Sequence, residues 1–164
     1  MFRRLFPVLT VFLLVIADTS VIPVLAHGWI YPLLTYTAVL TFGLLLGRTR
    51  GALYGIIAGL LLDITAGLPF GLMTVLYALS GFGAGFAGRK LRRNILSTLL
   101  VPLMFLTAME LAMLGYSALA GSDFYIAQLG RAGVRIAINA ALVQLEYLLF
   151  GMICKPQSAR YELR

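Results

Sequence analysis

Charge is scarce in this chain of 164 residues: only 12% of them are Asp, Glu, Lys or Arg, against 61% hydrophobic. Soluble domains carry about 25% charged residues, so a water-exposed globular fold is excluded. The same apolar excess excludes a disordered chain. One cysteine, Cys154, rules out an intrachain disulfide and any Cys-based metal site. One histidine, His27, rules out a multi-histidine centre. Nor does any serine sit in a G-x-S-x-G turn: Ser80 precedes Gly81 without the rest of the pattern. Acids number only six, against thirteen Lys and Arg, and the formal net charge is +7. In so apolar a chain that excess reads as membrane topology and not as a nucleic-acid footprint.

What remains is a succession of apolar runs. At about 20 residues per crossing, the chain supplies roughly six spans, over about 5–25, 30–47, 51–66, 70–88, 95–119 and 132–153. They form a single transmembrane domain over 1–164, an all-α bundle whose connections are too short to fold outside the lipid. Breakers mark the turns at His27-Gly28, Gly67-Leu68-Pro69 and Gly121-Ser122-Asp123. Trp29 and Tyr31 beside His27 have the character of interfacial anchors.

The cations orient the bundle. With six spans and a cytoplasmic N-terminus, the inner side receives Arg3, Arg4, Arg48, Arg50, Arg89, Lys90, Arg92, Arg93, Lys155, Arg160 and Arg164. Arg131 and Arg135 are left outside, and the C-terminus is also cytoplasmic. The run Arg89-Lys90-Leu91-Arg92-Arg93 is a topology determinant that can also hold anionic headgroups. Arg3-Arg4, the following apolar run and Val24-Leu25-Ala26 have the layout of a secretory signal as well. The length of that run favours a retained first span.

Five ionisable residues fall within or close to the spans: Asp18, Asp63, Glu110, Arg135 and Glu146. A charge at mid-bilayer costs at least ~2.5–3.5 kcal/mol, so each should face protein, water or a partner. At ~1.5 Å per residue, Asp18, Asp63 and Glu110 lie roughly 18–22 Å above the inner ends of their spans, and Arg135 lies ~6 Å below the outer start of the last one. Asp18, Asp63, Glu110 and Arg135 therefore fall in the outer half as a buried polar cluster, with Glu110 and Arg135 as a candidate ion pair. Glu146 lies ~16 Å deeper than Arg135, in the inner half. The cluster reads either as an outward-facing pocket or as charges that fix helix register and snorkel to water.

Glycine is patterned. Gly51, Gly55 and Gly59 recur every four residues and lead to Asp63, after Gly43 and Gly47 and a turn near Arg48–Arg50. A four-residue repeat drifts by ~40° per step and keeps one slanting face, which lets another helix approach closely. Internal packing, homodimerisation and capture of a partner's helix are the three uses open to it. Gly83, Gly85 and Gly88 satisfy G-x-G-x-x-G, but no strand precedes them, so dinucleotide binding is not indicated. An intramembrane aspartyl enzyme is not indicated either, since Leu60-Leu61-Leu62-Asp63 places no glycine just before the acid.

The run from Gly51 to Ile64, with Leu61-Leu62-Asp63 near its end and Gly67-Leu68-Pro69-Phe70-Gly71 after it, resembles the bacterial rod shape-determining MreD family. The likeness extends over the whole length, although Asp18-Thr19-Ser20 stands where other members often carry a Gln. It implies a multi-pass protein of the bacterial inner membrane, a non-catalytic scaffold of the cell-wall elongation complex with no cofactor. The implied partners are the bitopic protein MreC, the filament protein MreB and the SEDS glycosyltransferase with its transpeptidase. Gly51, Gly55, Gly59 and Asp63 are then the candidate contact face for MreC's transmembrane helix.

The layout is also similar to the substrate-binding S components of energy-coupling-factor transporters, for which the outer polar cluster would hold a solute. Their Ala-x-x-x-Ala docking surface is missing here: only Ala17 and Ala26 occur between Leu5 and Ala26.

Overall fold

The computed structural model describes residues 2–25, 32–65, 69–90, 95–119 and 126–153. All of its regular structure is helical among those residues: α1 (Phe2–Ile16), a π-helical stretch (Ala17–Val21), α2 (Ile22–Leu25), α3 (Leu34–Leu46), α4 (Arg48–Thr65), α5 (Leu72–Lys90), α6 (Ile95–Leu119) and α7 (Ile126–Ile153). The first three run as one rod, because the residues flanking the π stretch, Ile16 and Ile22, are both right-handed helical. The π turn has a local cause. Pro23 lacks the N–H that would bond Thr19 and its ring crowds that carbonyl. The backbone N–H of Ile22 reaches back to Ala17 O, widening the helix just before the proline.

Among the described residues, three helical stretches are long and apolar enough to cross a membrane: Phe6–Val24, Thr98–Leu119 and Gly130–Ile153. These lie at the periphery. Leu9, Phe12 and Leu13 on α1 are exposed, as are Leu145, Leu148 and Met152 on α7. Such surfaces are a liability in water and the ordinary exterior of a protein in lipid.

At the centre lies α3. Eleven of its 13 residues are buried, from Thr35 to Leu46. Its length, ~20 Å, is well short of the ~30 Å hydrocarbon thickness. Tyr36 anchors it: its hydroxyl lies 2.7 Å from Ser80 Oγ and donates to Phe105 O at 2.9 Å, joining α3 to α5 and α6. The Tyr36 ring meets Tyr77 edge-on at 5.0 Å, and Phe42 stacks on Phe150 of α7 at 4.9 Å.

Several boundaries differ from the sequence reading. The second helix starts at Leu34 and the last one at Ile126. The turn expected near Arg48–Arg50 is the single residue Gly47, and α4 begins at Arg48. Gly47 has φ 91°, a conformation that other L-residues rarely adopt, and it ends α3 while its carbonyl accepts the N–H of Gly51 at 2.9 Å. The α3–α4 reversal is complete in one residue.

Candidate functional site

The glycine row of α4 packs against α5, the most extensive helix pair in the molecule. A Cβ on Gly51 would fall on Gly81 O, one on Gly55 on Tyr77 O, and one on Gly59 on Thr74 Cα. The partners descend along α5 as the glycines ascend α4, so the two helices run antiparallel with backbone against backbone. In lipid, helices gain nothing by hiding apolar surface from water, and close packing of this kind holds them together. The G-x-G-x-x-G of α5 serves the same end. Gly83 admits the Phe105 ring of α6, Gly85 admits the α3–α4 junction at Gly47 and Arg48, and Gly88 admits Leu44 of α3. The idea that the α4 face receives a foreign helix is therefore corrected: α5 already fills it.

Asp63 closes this pair. It is only 4% exposed and lies past the last contact glycine. Its Oδ1 accepts the N–H of Met73 at 2.9 Å. Its Oδ2 accepts the N–H groups of Gly71 and Thr74 at 3.0 and 3.1 Å and the Thr74 hydroxyl at 2.5 Å. The first N–H groups of a helix have no partner within it, and a carboxylate across the turn supplies one. Gly71, at φ 97°, makes the bend that turns these N–H groups toward Asp63.

Asp63 thus stands apart from the outer polar cluster, which is corrected from four members to three. Asp18, Glu110 and Arg135 line one cavity of about 470 Å³, with Leu62 and Thr65, but not Asp63, contributed from α4. Asp18 comes from the π turn. Its Oδ1 accepts the N–H of Leu34 at 3.1 Å and its Oδ2 that of Thr35 at 2.7 Å, capping the buried start of α3. Glu110 and Arg135 join α6 to α7: Nε lies 2.8 Å from Oε1, and Nη2 donates to Oε2 at 2.8 Å. Only the Nη2 contact has the geometry of a hydrogen bond; Nε makes a close ionic contact.

Two further polar residues of α7 matter that the sequence reading either set apart or missed. Glu146 is buried and accepts the hydroxyls of Thr37 at 3.0 Å and Thr41 at 3.4 Å from α3. Asn139 is fully buried; its Oδ1 accepts the N–H of Leu33 at 2.9 Å, and its Nδ2 has no partner among the described residues. Arg135, Asn139 and Glu146 stand at i, i+4 and i+11, which places them on one helix face. That spacing was the available signal. The cytoplasmic cluster is described only in part: Arg89 and Lys90 end α5, while Arg92 and Arg93 lie outside the described residues, as do His27, Trp29 and Cys154. No group of three or more His, Cys, Asp or Glu is placed to hold a metal among the described residues.

The family model of the rod shape-determining protein MreD matches residues 2–153. The chain belongs to the MreD family. No curated protein and no solved structure matches it. Membership of MreD carries a role in rod-shape determination, and the apolar helices make the chain a helical membrane protein. The Asp63 knot and the glycine seam are thus features of an MreD bundle.

Proposed function

We propose that this chain is a non-catalytic scaffold of the cell-wall elongation complex, crossing the bacterial inner membrane six times with both termini in the cytoplasm and binding the transmembrane helix of MreC. One observation carries the scaffold reading. Four acids within the bundle serve the fold: Asp63 caps α5, Asp18 caps α3, Glu110 pairs with Arg135, and Glu146 holds α3 to α7. The inside-positive distribution of Lys and Arg supports the orientation. With the glycine faces of α4 and α5 sealed on each other, the surfaces left for MreC, for a second copy, or for MreB and the SEDS glycosyltransferase–transpeptidase pair lie on the outward faces of α1, α6 and α7 and on the exposed sides of α4 and α5, where Ile64 and Leu79 stand. Arg89, Lys90, Arg92 and Arg93 are then the contact for anionic lipid at the inner leaflet.

Cysteine crosslinking tests this. Single cysteines at Phe12, Ile64, Leu79, Met104 and Leu148, one on each helix with an exposed apolar face, should include at least one that traps MreC in membranes. A cysteine at Gly55 should not. Failure of every peripheral position, in a protein that still folds, removes MreC from the proposal. Labelling of terminal cysteines with a membrane-impermeant reagent tests the orientation.

The cavity beside Asp18 favours a second reading, a substrate-binding subunit of an energy-coupling-factor-type transporter. Solute accumulation by cells that co-express the chain with the coupling module decides between the two.

A further inference from the structure

Close packing governs this bundle wherever α3, α4 and α5 meet, so a cavity of about 470 Å³ within it needs a reason. Its volume is in the range of small-ligand sites, about 300–1,000 Å³. Five of the helical elements contribute to the wall: the π turn, α4, α5, α6 and α7, with Pro32 and Leu33 at the entry to α3.

The wall carries charges of both signs. Asp18 stands on the π turn, its Oδ1 and Oδ2 taking the backbone N–H groups of Leu34 and Thr35. Arg135 stands on α7. Its Nη2 donates to Glu110, Nε lies 2.8 Å from Oε1 without a hydrogen bond, and Nη1 has no hydrogen bond among the described residues. The Arg135 side chain is 31% exposed while that of Glu110 is 7% exposed, so the guanidinium is the accessible member of the pair. Met73, Met109 and Met113 supply a soft apolar part of the wall. Methionine adapts to the shape of what it meets.

We propose that this cavity binds a small amphiphile that carries both an ammonium and an anionic group, with the ammonium at Asp18 and the anion at Nη1 of Arg135. A simple anion would face the carboxylates of Asp18 and Glu110 as well as the guanidinium. A simple cation would face Arg135 and the positive end of α3. A ligand with both charges matches both Asp18 and Arg135, and its apolar part lies against the methionines. The chemistry is shared by free zwitterions such as apolar amino acids and by the phosphoethanolamine headgroup of a phospholipid. The inference stands on the cavity alone and is independent of whether the chain is a scaffold or a transporter subunit.

The test is thermal unfolding of the purified full-length chain in detergent against leucine, phenylalanine, phosphoethanolamine and dihexanoyl phosphatidylethanolamine. Ethylamine and butyrate serve as single-charge controls. The proposal expects a dose-dependent rise in Tm with at least one two-charge probe and none with either control. A rise with amino acids or phosphoethanolamine identifies a soluble ligand; a rise with the short-chain lipid alone identifies a headgroup. Arg135→Gln should weaken the response at least tenfold. Thr65→Phe, at an exposed wall position away from the ion pair, should abolish it with the unliganded Tm preserved, and Met113→Trp fills the cavity from α6 should the first variant not fold. No rise with any two-charge probe, or an equal rise in the filled variants, overturns the proposal.

Discussion

Asp63 and Thr74 meet across the α4–α5 turn, the Thr74 hydroxyl donating to Oδ2 at 2.5 Å while the Thr74 backbone N–H donates to the same oxygen at 3.1 Å. One side chain from the end of α4 thereby supplies the missing acceptors at the start of α5. Asp63→Ala should leave buried N–H groups unsatisfied and destabilise the protein by about 2–3 kcal/mol. Thr74→Val removes one hydroxyl only and should cost about 1 kcal/mol. Unfolding in detergent measures both; an Asp63→Ala protein as stable as the parent would show that the turn does not depend on this carboxylate.

The glycines divide into two classes that stability measurements can separate. Gly55→Ala and Gly59→Ala drive a methyl group into the α5 backbone and should destabilise by about 2 kcal/mol or more, with Leu at either position preventing folding. Gly115 and Gly133 have nothing within 4 Å of a built Cβ. Alanine there should be neutral or stabilise by up to about 1 kcal/mol through helix propensity. Equal effects in the two classes would contradict the seam.

For Glu110 and Arg135 a double-mutant cycle is the appropriate measurement. Glu110→Ala strands a guanidinium in the bundle and should cost about 2–3 kcal/mol, less than for a fully buried pair because Arg135 is partly exposed. Adding Arg135→Ala should recover part of that loss. A coupling energy near zero would mean that the two side chains act independently.

Glu146 touches two hydroxyls, and no cation is placed against it among the described residues. Glu146→Gln keeps an acceptor for Thr37 and should change stability by less than about 1 kcal/mol. Glu146→Ala removes the acceptors and opens a void, at a cost of about 2–3 kcal/mol. Comparable losses in the two variants would show that the carboxylate charge itself is needed.

The order of the helices was legible from hydropathy alone, because each apolar run between Phe2 and Ile153 becomes helix. Their ends were not. Gly47 as the whole α3–α4 turn depends on a backbone angle that no spacing rule reveals, and the π turn depends on how Pro23 is accommodated in a rod that continues. The acids show the limit most clearly. Depth along a span placed Asp18, Asp63 and Glu110 at similar heights, but height says nothing of azimuth. The Asp63 side chain turns into the α4–α5 seam while the other two face the cavity. Asn139 escaped notice because an uncharged amide in an apolar run attracts little attention until its partner, a helix-start N–H, is known.

The single-residue reversal at Gly47 bears on biogenesis. A segment of 13 residues cannot reach across the hydrocarbon layer by itself, and α3 presents threonines on the sides where it later meets α7. The one-residue junction makes it half of a tight hairpin with α4, and the Glu146 that satisfies Thr37 and Thr41 lies 109 and 105 residues further along the chain. The acceptors for the central helix's threonines therefore come only with α7, long after α3 itself has been made.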